Sequence, residues 1–169
     1  MAELRAFLGL THKRVIELLS YDDATGIFRW RNARRGIVAG EVAGTKMKNG
    51  YVTISVDCHR QIYAHRLAWF YIHGEWPQNQ IDHEDRNHAN NSIRNLRLAS
   101  NAQNQANRMV KKNKGLPKGV YKGKGANVRA AIKHNGKYHH LGTYKSPAKA
   151  HSVYLAKARE LFGEFARSA

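Results

Sequence analysis

Residues 81–108, IDHEDRNHANNSIRNLRLASNAQNQANR, bring together side chains suited to reactions at a phosphate. Asp82 and His83 are adjacent, and Asn104 follows on a segment with helical character. A carboxylate and an amide oxygen are ligands for a hard divalent cation, which leaves other coordination positions for water and a phosphate. A neighbouring imidazole with a pKa near 6.5 can act as a general base toward water at neutral pH.

The pattern predicts the elements that must position these groups: a strand at 81–83, a loop, a second strand at LRLAS and a helix at NAQNQANR that packs back on the hairpin. Adjacent residues of a strand point to opposite sides, so Asp82 and His83 should face apart. Asparagine caps turns and tolerates left-handed backbone, which explains Asn87, Asn90 and Asn91 as loop residues.

An asparagine-rich structural hairpin with an incidental histidine is the alternative interpretation of this segment. It accounts for the loop asparagines but does not explain why Asn95 and Asn104 follow the Asp-His pair. Two further histidines fit structural roles, His88 as a solvated loop residue and His65 as support for the start of a helix.

The preceding sequence predicts a scaffold of short elements. A helix is expected at 11–19, a strand at IFRWR, and a hairpin formed by YVTISV and QIYAH. The segment HRLAWFYIHG has helical spacing and ends at Gly74, which is typical of a helix stop.

The last third of the chain predicts a separate small fold. Asn135-Gly136 is a two-residue hairpin signal, and counting outward pairs Lys133 with Tyr138. The same count places Ala131 opposite His140, Arg129 opposite Gly142, Ile132 opposite His139, Ala130 opposite Leu141 and Val128 opposite Thr143. One face is then basic and aromatic and the other mostly apolar. A helix capped by Ser146 and stopped by Gly163 follows, with an apolar stripe of Ala150, Val153, Tyr154, Ala158 and Leu161 that can cover the apolar face.

Charge is unevenly distributed along the 169 residues. Lys and Arg number 29 against 12 Asp and Glu, and residues 111–169 alone carry 14 against 2. Such a field attracts a polyanion or an anionic membrane surface. No apolar run is long enough to span a bilayer, and the N-terminus lacks a signal-peptide layout, so we expect an intracellular protein. The single cysteine, Cys58, excludes an intrachain disulfide and paired zinc knuckles.

At YDDATGIFRW, GYVTISV, AHRLAW and the 82–108 segment the chain resembles the HNH nucleases with their ββα-metal motif, particularly the phage-encoded HNH homing endonucleases. The resemblance implies Asp82 and Asn104 as metal ligands, His83 as the base that activates water, and Asn95 as the motif's central asparagine, which holds the loop and orients His83. Many family members have histidine at the position of Asn104. The amide favours Mg²⁺ or Mn²⁺ over zinc.

Residues 115–166, GLPKGVYKGKGANVRAAIKHNGKYHHLGTYKSPAKAHSVYLAKARELFGEFA, resemble the Apetala-two/ethylene-response-factor type of DNA-binding domain. That resemblance implies a three-stranded sheet lying in the major groove of double-stranded DNA. The expected DNA contacts on the sheet and its first turn are Lys122, Lys124, Arg129, Lys133, Tyr138 and His140. A basic solvated sheet without a specific ligand is the alternative.

Together these features predict an α+β protein with an HNH nuclease domain at 1–110, a basic linker at 111–118 and a sheet-type DNA-binding domain at 119–169. We expect further phosphate contacts in the N-terminal part from Arg29, Arg31, Arg34, Arg35, Lys46 and Lys48. A DNA endonuclease is favoured over two alternatives, a non-catalytic DNA-binding regulator that uses the HNH fold as scaffold and a membrane-surface protein. The resemblance places it in the cytoplasm of a host bacterium if phage-encoded. The oligomeric state stays open.

Overall fold

The computed structural model describes residues 9–34, 36–108, 115–134 and 136–166. It has the mixed α+β architecture that the sequence predicts, with short helices and antiparallel pairs of strands. The chain divides between Leu98 and Ala99 into two compact units, which are described separately. The sequence instead placed the division at 111–118, of which 111–114 lie outside the described residues, so that domain boundary remains a prediction.

The first unit contains two α-helices, one short 3-10 helix at Ile93–Asn95 and seven strands within its described residues. In chain order these are α1 (His12–Leu18), β1 (Leu19–Asp22), β2 (Ile27–Trp30), β3 (Thr45–Lys46), β4 (Val52–Val56), β5 (His59–Tyr63), α2 (Ala64–His73), β6 (Gln80–His83) and β7 (Leu96–Ala99). Strands β1 and β2 form a hairpin, β3, β4 and β5 form a sheet in that order, and β6 pairs with β7. The predicted helices and hairpins of this region are therefore present.

Local sequence explains where the helices of the first unit begin and end. Thr11 caps α1 by accepting a hydrogen bond from the backbone N–H of Arg14 at 3.2 Å. Helix α2 ends at Gly74, whose φ of 75° is the left-handed conformation that glycine adopts without strain. Both helices place apolar residues in one core, which includes the fully buried Leu19, Phe28, Ile54, Ile62 and Leu67. Burial of these side chains holds the β6–β7 hairpin against a rigid support.

The second unit contains α3 (Asn101–Asn107), a three-stranded sheet of β8 (Val120–Lys122), β9 (Val128–His134) and β10 (Lys137–Tyr144), and α4 (Pro147–Phe162). Strand β9 is central in the sheet, and α4 packs against it. Ser146 caps α4 by accepting from the N–H of Lys149, and Gly163 follows its last residue. Ala150, Tyr154, Ala158 and Phe162 form the buried stripe of α4, whereas Val153 and Leu161 are half-buried.

The register of the β9–β10 hairpin agrees with the sequence only near the turn. Lys133 pairs with Tyr138, Ile132 with His139 and Ala131 with His140, as predicted. Beyond His140 the prediction is wrong by one residue: Ala130 pairs with Gly142, Arg129 with Thr143 and Val128 with Tyr144.

A β-bulge between His140 and Gly142 causes the shift. Gly142 has a φ of 126°, and a Cβ there would lie 2.6 Å from the Tyr144 hydroxyl, which donates to the carbonyl of Leu141 at 2.9 Å. Arg129 nevertheless remains exposed, as does Lys133. Asn135 of the predicted turn lies outside the described residues. Within the described part of the chain, no helix is long and apolar enough to cross a membrane.

Candidate active site

The loop that joins β6 to β7 is held by Asn95, at its far end. The Asn95 Nδ2 donates to Asp85 Oδ1 at 2.9 Å and to the Asn90 carbonyl at 2.8 Å, and its Oδ1 accepts from the Asp85 N–H at 3.0 Å. These bonds join the end of the loop to its start and its middle, because Asp85 stands near the start and Asn90 near the middle. Orientation of His83 by Asn95 remains a prediction.

His83 ends β6 and is 4% exposed. Its Nε2 lies 3.2 Å from Asn91 Oδ1, while Asn91 Nδ2 donates to the Ala89 carbonyl at 3.2 Å. That donation turns Oδ1 toward His83, so Nε2 carries the proton and a neutral ring has its lone pair on Nδ1. Burial lowers the pKa of His83 below its ordinary value of 6.5, against the opposing effect of the Asn91 hydrogen bond. The imidazole is therefore neutral at pH 7 and able to accept a proton.

Three rings surround His83. The ring centroids of His65, His88 and Tyr51 lie 5.1, 5.7 and 6.0 Å from that of His83. His88 is half-buried and stacks on Tyr51 at 4.0 Å, which differs from the solvated loop residue that the sequence indicated. These rings contribute to the burial of the imidazole.

His65 stands in the first turn of α2, where the sequence placed it, and is 8% exposed. Burial lowers the pKa of His65 to about 3, so the ring is neutral at physiological pH. Among the described residues, none is a hydrogen-bond partner for its Nδ1. A neutral ring beside His83 adds no positive charge that would oppose protonation of His83.

Asp82 lies next to His83 in β6 and is 4% exposed. Both Nε and Nη2 of Arg97 contact its Oδ2 at 3.0 Å, which forms a buried ion pair across the β6–β7 hairpin. A cation bound by Asp82 would share this carboxylate with Arg97 or displace it. In the described ranges, no group of three His, Cys, Asp or Glu side chains is arranged to hold a metal ion.

Asn104 lies on α3, in the second compact unit, whereas Asp82 and His83 belong to the first. The helix begins with a capping box: Ser100 accepts from the N–H of Gln103, and the Gln103 side chain accepts from the N–H of Ser100. The side chain of Asn104 is half-buried. Its assignment as a metal ligand remains a prediction.

The turn between β1 and β2 holds the loop of His83 in place, which the sequence did not indicate. The Tyr21 hydroxyl donates to the Asn91 carbonyl at 2.8 Å, and the Ser92 hydroxyl donates to the Asp23 carbonyl at 2.7 Å. Gly26 has a φ of 74°, and a Cβ there would stand 2.2 Å from the backbone of Asn91. Only glycine allows this approach.

The basic residues predicted to contact DNA in the first unit differ in their surroundings. Arg29 donates to the Gly40 carbonyl at 3.0 Å and Arg31 to the Leu19 carbonyl at 2.9 Å, although both remain exposed. Arg34 lies 4.0 Å over the ring of Trp30 and 3.7 Å from Asp57. Lys46 and Lys48 are exposed, and Arg35 lies outside the described residues. The contacts with DNA remain predictions for all of them.

The basic and aromatic face predicted for the second unit is present as a surface. Its six predicted contact residues are all exposed: Lys122, Lys124, Arg129, Lys133, Tyr138 and His140. The Lys133 ammonium lies 5.5 Å from the centre of the Tyr138 ring, its partner across the strands. The opposite face carries the buried Val128, Ala130 and Ile132 beneath α4. DNA binding by the exposed face remains a prediction.

Comparison with known proteins agrees with the chemistry of the β6–β7 hairpin. Residues 62–106 match the HNH endonuclease family. This HNH segment contains Asp82, His83, Asn95 and Asn104. It also contains His65 and Asn91.

One curated relative extends the similarity beyond the HNH segment. An uncharacterized HNH endonuclease of Acanthamoeba polyphaga mimivirus is 38% identical over 121 residues, which are 70% of this chain. The chain covers 62% of that relative's length. No solved structure matches the chain significantly.

Proposed function

We propose that the protein is a metal-dependent HNH endonuclease that hydrolyses phosphodiester bonds in double-stranded DNA. The observation that carries the proposal is the neutral, buried imidazole of His83, fixed by Asn91 and adjacent to the Asp82 carboxylate within the HNH segment. A positioned general base contributes roughly 10²–10⁴-fold to a hydrolytic rate.

His83 is the general base of this mechanism. With Nε2 donating to Asn91, its Nδ1 lone pair takes the proton from the water that attacks phosphorus. The depressed pKa keeps the ring unprotonated at neutral pH. Tyr51 and His88 pack against the ring and keep its orientation fixed through the reaction.

The oxygen donors of Asp82 and Asn104 fit a hard cation, Mg²⁺ or Mn²⁺, better than zinc. Arg97 contacts Oδ2 of Asp82, so metal binding competes with this ion pair for the carboxylate. When bound, such an ion neutralises charge on the phosphate and on the leaving oxygen. Asp82 and Asn104 would hold it, and Arg97 restrains the Asp82 side chain.

DNA contact is proposed for two basic surfaces. In the second unit the exposed face around Arg129 and Lys133 meets the major groove, with the phosphates held by Lys122 and Lys124. In the first unit Lys46 and Lys48 carry exposed charge for the phosphates. This arrangement of a nuclease with a sheet-type DNA-binding domain is that of a phage homing endonuclease acting in its host's cytoplasm.

The buried Asp82–Arg97 pair favours one rival function, that of a non-catalytic DNA-binding regulator. In such a protein Arg97 would satisfy the carboxylate permanently, and the described residues indeed offer no three-ligand cluster. Both functions predict binding to DNA, but only the endonuclease cleaves it.

Incubation of the purified protein with supercoiled plasmid and Mg²⁺, with EDTA as the control, tests the proposal. Nicked or linear DNA that forms only with the metal supports the endonuclease. Binding to the plasmid without any change in its topology, with both Mg²⁺ and Mn²⁺, would instead support the regulator.

A further inference from the structure

A groove of about 800 Å³ lies on the β3–β4–β5 sheet of the first unit. The half-buried Ile37 and Met47 contribute apolar surface to its lining beside the buried Trp30, together with the ammonium-bearing Lys46 and Lys48. Asn49, Ser55 and Gln61 add amide and hydroxyl groups. None of the described residues that line it is an Asp or Glu, so the groove suits an anionic ligand with both polar and flat apolar parts.

The backbone of β5 is strained where it meets this groove. Between the pairs Ile54–Ile62 and Val56–His59, one residue of β4 stands opposite two of β5, which is a β-bulge. Gln61 lies in that bulge with a φ of 56°, and its N–H donates to the Ser55 hydroxyl at 3.2 Å. A left-handed non-glycine residue inside a strand costs free energy, and bulges redirect side chains next to functional sites. Here the bulge directs Gln61 to the wall of the groove.

One residue of the groove lining contacts the surroundings of His83. Asn49 lines the groove, and the Asn49 carbonyl accepts a hydrogen bond from His88 Nδ1 at 3.3 Å. The His88 ring is in turn 5.7 Å from that of His83. The groove lining and the surroundings of His83 are therefore connected through the hydrogen bond between His88 and Asn49.

We propose that this groove binds an unpaired nucleotide of the DNA strand next to the scissile phosphate, an inference that rests on the proposed function for its position on the strand. A duplex is convex and is read by a helix or ribbon that projects into it, whereas a concave groove accepts a single nucleotide. Lys46 and Lys48 neutralise the phosphate. Asn49 and Gln61 offer paired donors and acceptors to a base edge, and the apolar lining contacts the base face.

The test is a binding measurement with full-length protein in EDTA, so that no cleavage occurs. Fluorescence anisotropy compares a duplex that carries one unpaired nucleotide with a fully paired duplex of the same sequence. We expect wild type to prefer the unpaired nucleotide about tenfold, the effect of one buried base contact. Gln61→Gly, which suits the positive φ, should abolish the preference, and Gln61→Asn, which keeps the amide and tolerates that φ, should retain most of it.

Two lysine variants with the same change in net charge distinguish binding in the groove from general electrostatic attraction to DNA. Lys48→Ala should lower affinity for the unpaired probe more than for the paired one, whereas Lys13→Ala, an exposed lysine of α1, should lower both equally. Equal affinity of wild type for the two probes, or a full preference in Gln61→Gly, would overturn the proposal. Cleavage of plasmid without this preference would support the endonuclease and contradict nucleotide binding in the groove. A preference without cleavage would support nucleotide binding in the groove and contradict both the endonuclease and the groove's position next to a scissile phosphate.

Discussion

The His83 Nε2 and the Asn91 Oδ1 are 3.2 Å apart in a site where both side chains are almost completely buried. Asn91 is held from its other side by the Tyr21 hydroxyl, which donates to its carbonyl. The pair connects the loop of the HNH segment to a hairpin 70 residues earlier in the chain. This connection fixes the ring whose lone pair does the proposed chemistry.

Replacement of Asn91 should therefore impair cleavage more than DNA binding. Asn91→Ala removes the acceptor of His83 Nε2, and misplacement of a catalytic group costs on the order of 10²-fold in rate. Asn90→Ala, a change in the same loop without that contact, is the matched control. Single-turnover cleavage and metal-free binding measure the two effects, and equal rates for the two variants would show that Asn91 does not position His83.

His65 makes stability depend on pH. Its pKa is about 3 in the folded chain and near 6.5 when unfolded, so below pH 6.5 the unfolded state binds more protons and the free energy of unfolding falls. Each pH unit between 6.5 and 3 should remove up to about 1.4 kcal/mol. Urea unfolding at pH 7.5, 6.0 and 5.0 should show a steeper loss for wild type than for His65→Gln. Parallel curves would mean that His65 is not held neutral by burial.

If Asp82 and Asn104 bind the metal ion, replacement of either should change how cleavage depends on the Mg²⁺ concentration. Asp82→Asn and Asn104→Ala should each raise the Mg²⁺ concentration needed for activity, because each removes an oxygen ligand or its charge. Asn104→His should retain activity but shift its preference toward Mn²⁺ or softer ions, since imidazole suits transition metals. Full activity and normal Mg²⁺ dependence in Asn104→Ala would show that Asn104 is not a ligand.

The exposed face of the second unit should set the salt dependence of binding. Each phosphate contact adds about 0.9 to the slope of log affinity against log salt, so Arg129→Ala combined with Lys133→Ala should flatten it by up to about 1.8. If Arg129 reads a guanine, its loss also costs about 1–3 kcal/mol on the preferred sequence. Lys149→Ala, an exposed lysine of α4, is the control for net charge. An unchanged slope in the double variant would place DNA binding elsewhere.

Local sequence was sufficient to predict most elements, and it singled out Asp82 and His83 as the central pair of the candidate site, whose roles remain predictions. Alternation in YVTISV, the stop at Gly74 and the Ser146 cap are local signals, and they correspond to β4, α2 and α4. Asp82 and His83 can be recognised from sequence because a carboxylate suits metal binding and an imidazole suits general-base catalysis, whatever their neighbours are.

The features of the structure that the sequence did not reveal depend on contacts between distant parts of the chain. The role of Asn91 depends on how the loop folds back on His83, and that of Gly26 on close approach to the same loop. The buried Asp82–Arg97 pair joins two strands whose pairing had to be known first. The β-bulge at Gly142 accommodates the Tyr144 side chain. Counting residue pairs outward from the turn does not reveal this bulge.

Cleavage by His83→Ala tests the central claim most directly. Supercoiled plasmid is incubated with Mg²⁺ under single-turnover conditions, and affinity for the same DNA is measured in EDTA. General-base assistance acts in the transition state, so we predict a rate reduced by roughly 10²-fold or more with DNA affinity nearly unchanged. A variant that cleaves within a few-fold of wild type would remove His83 from the mechanism and contradict the account.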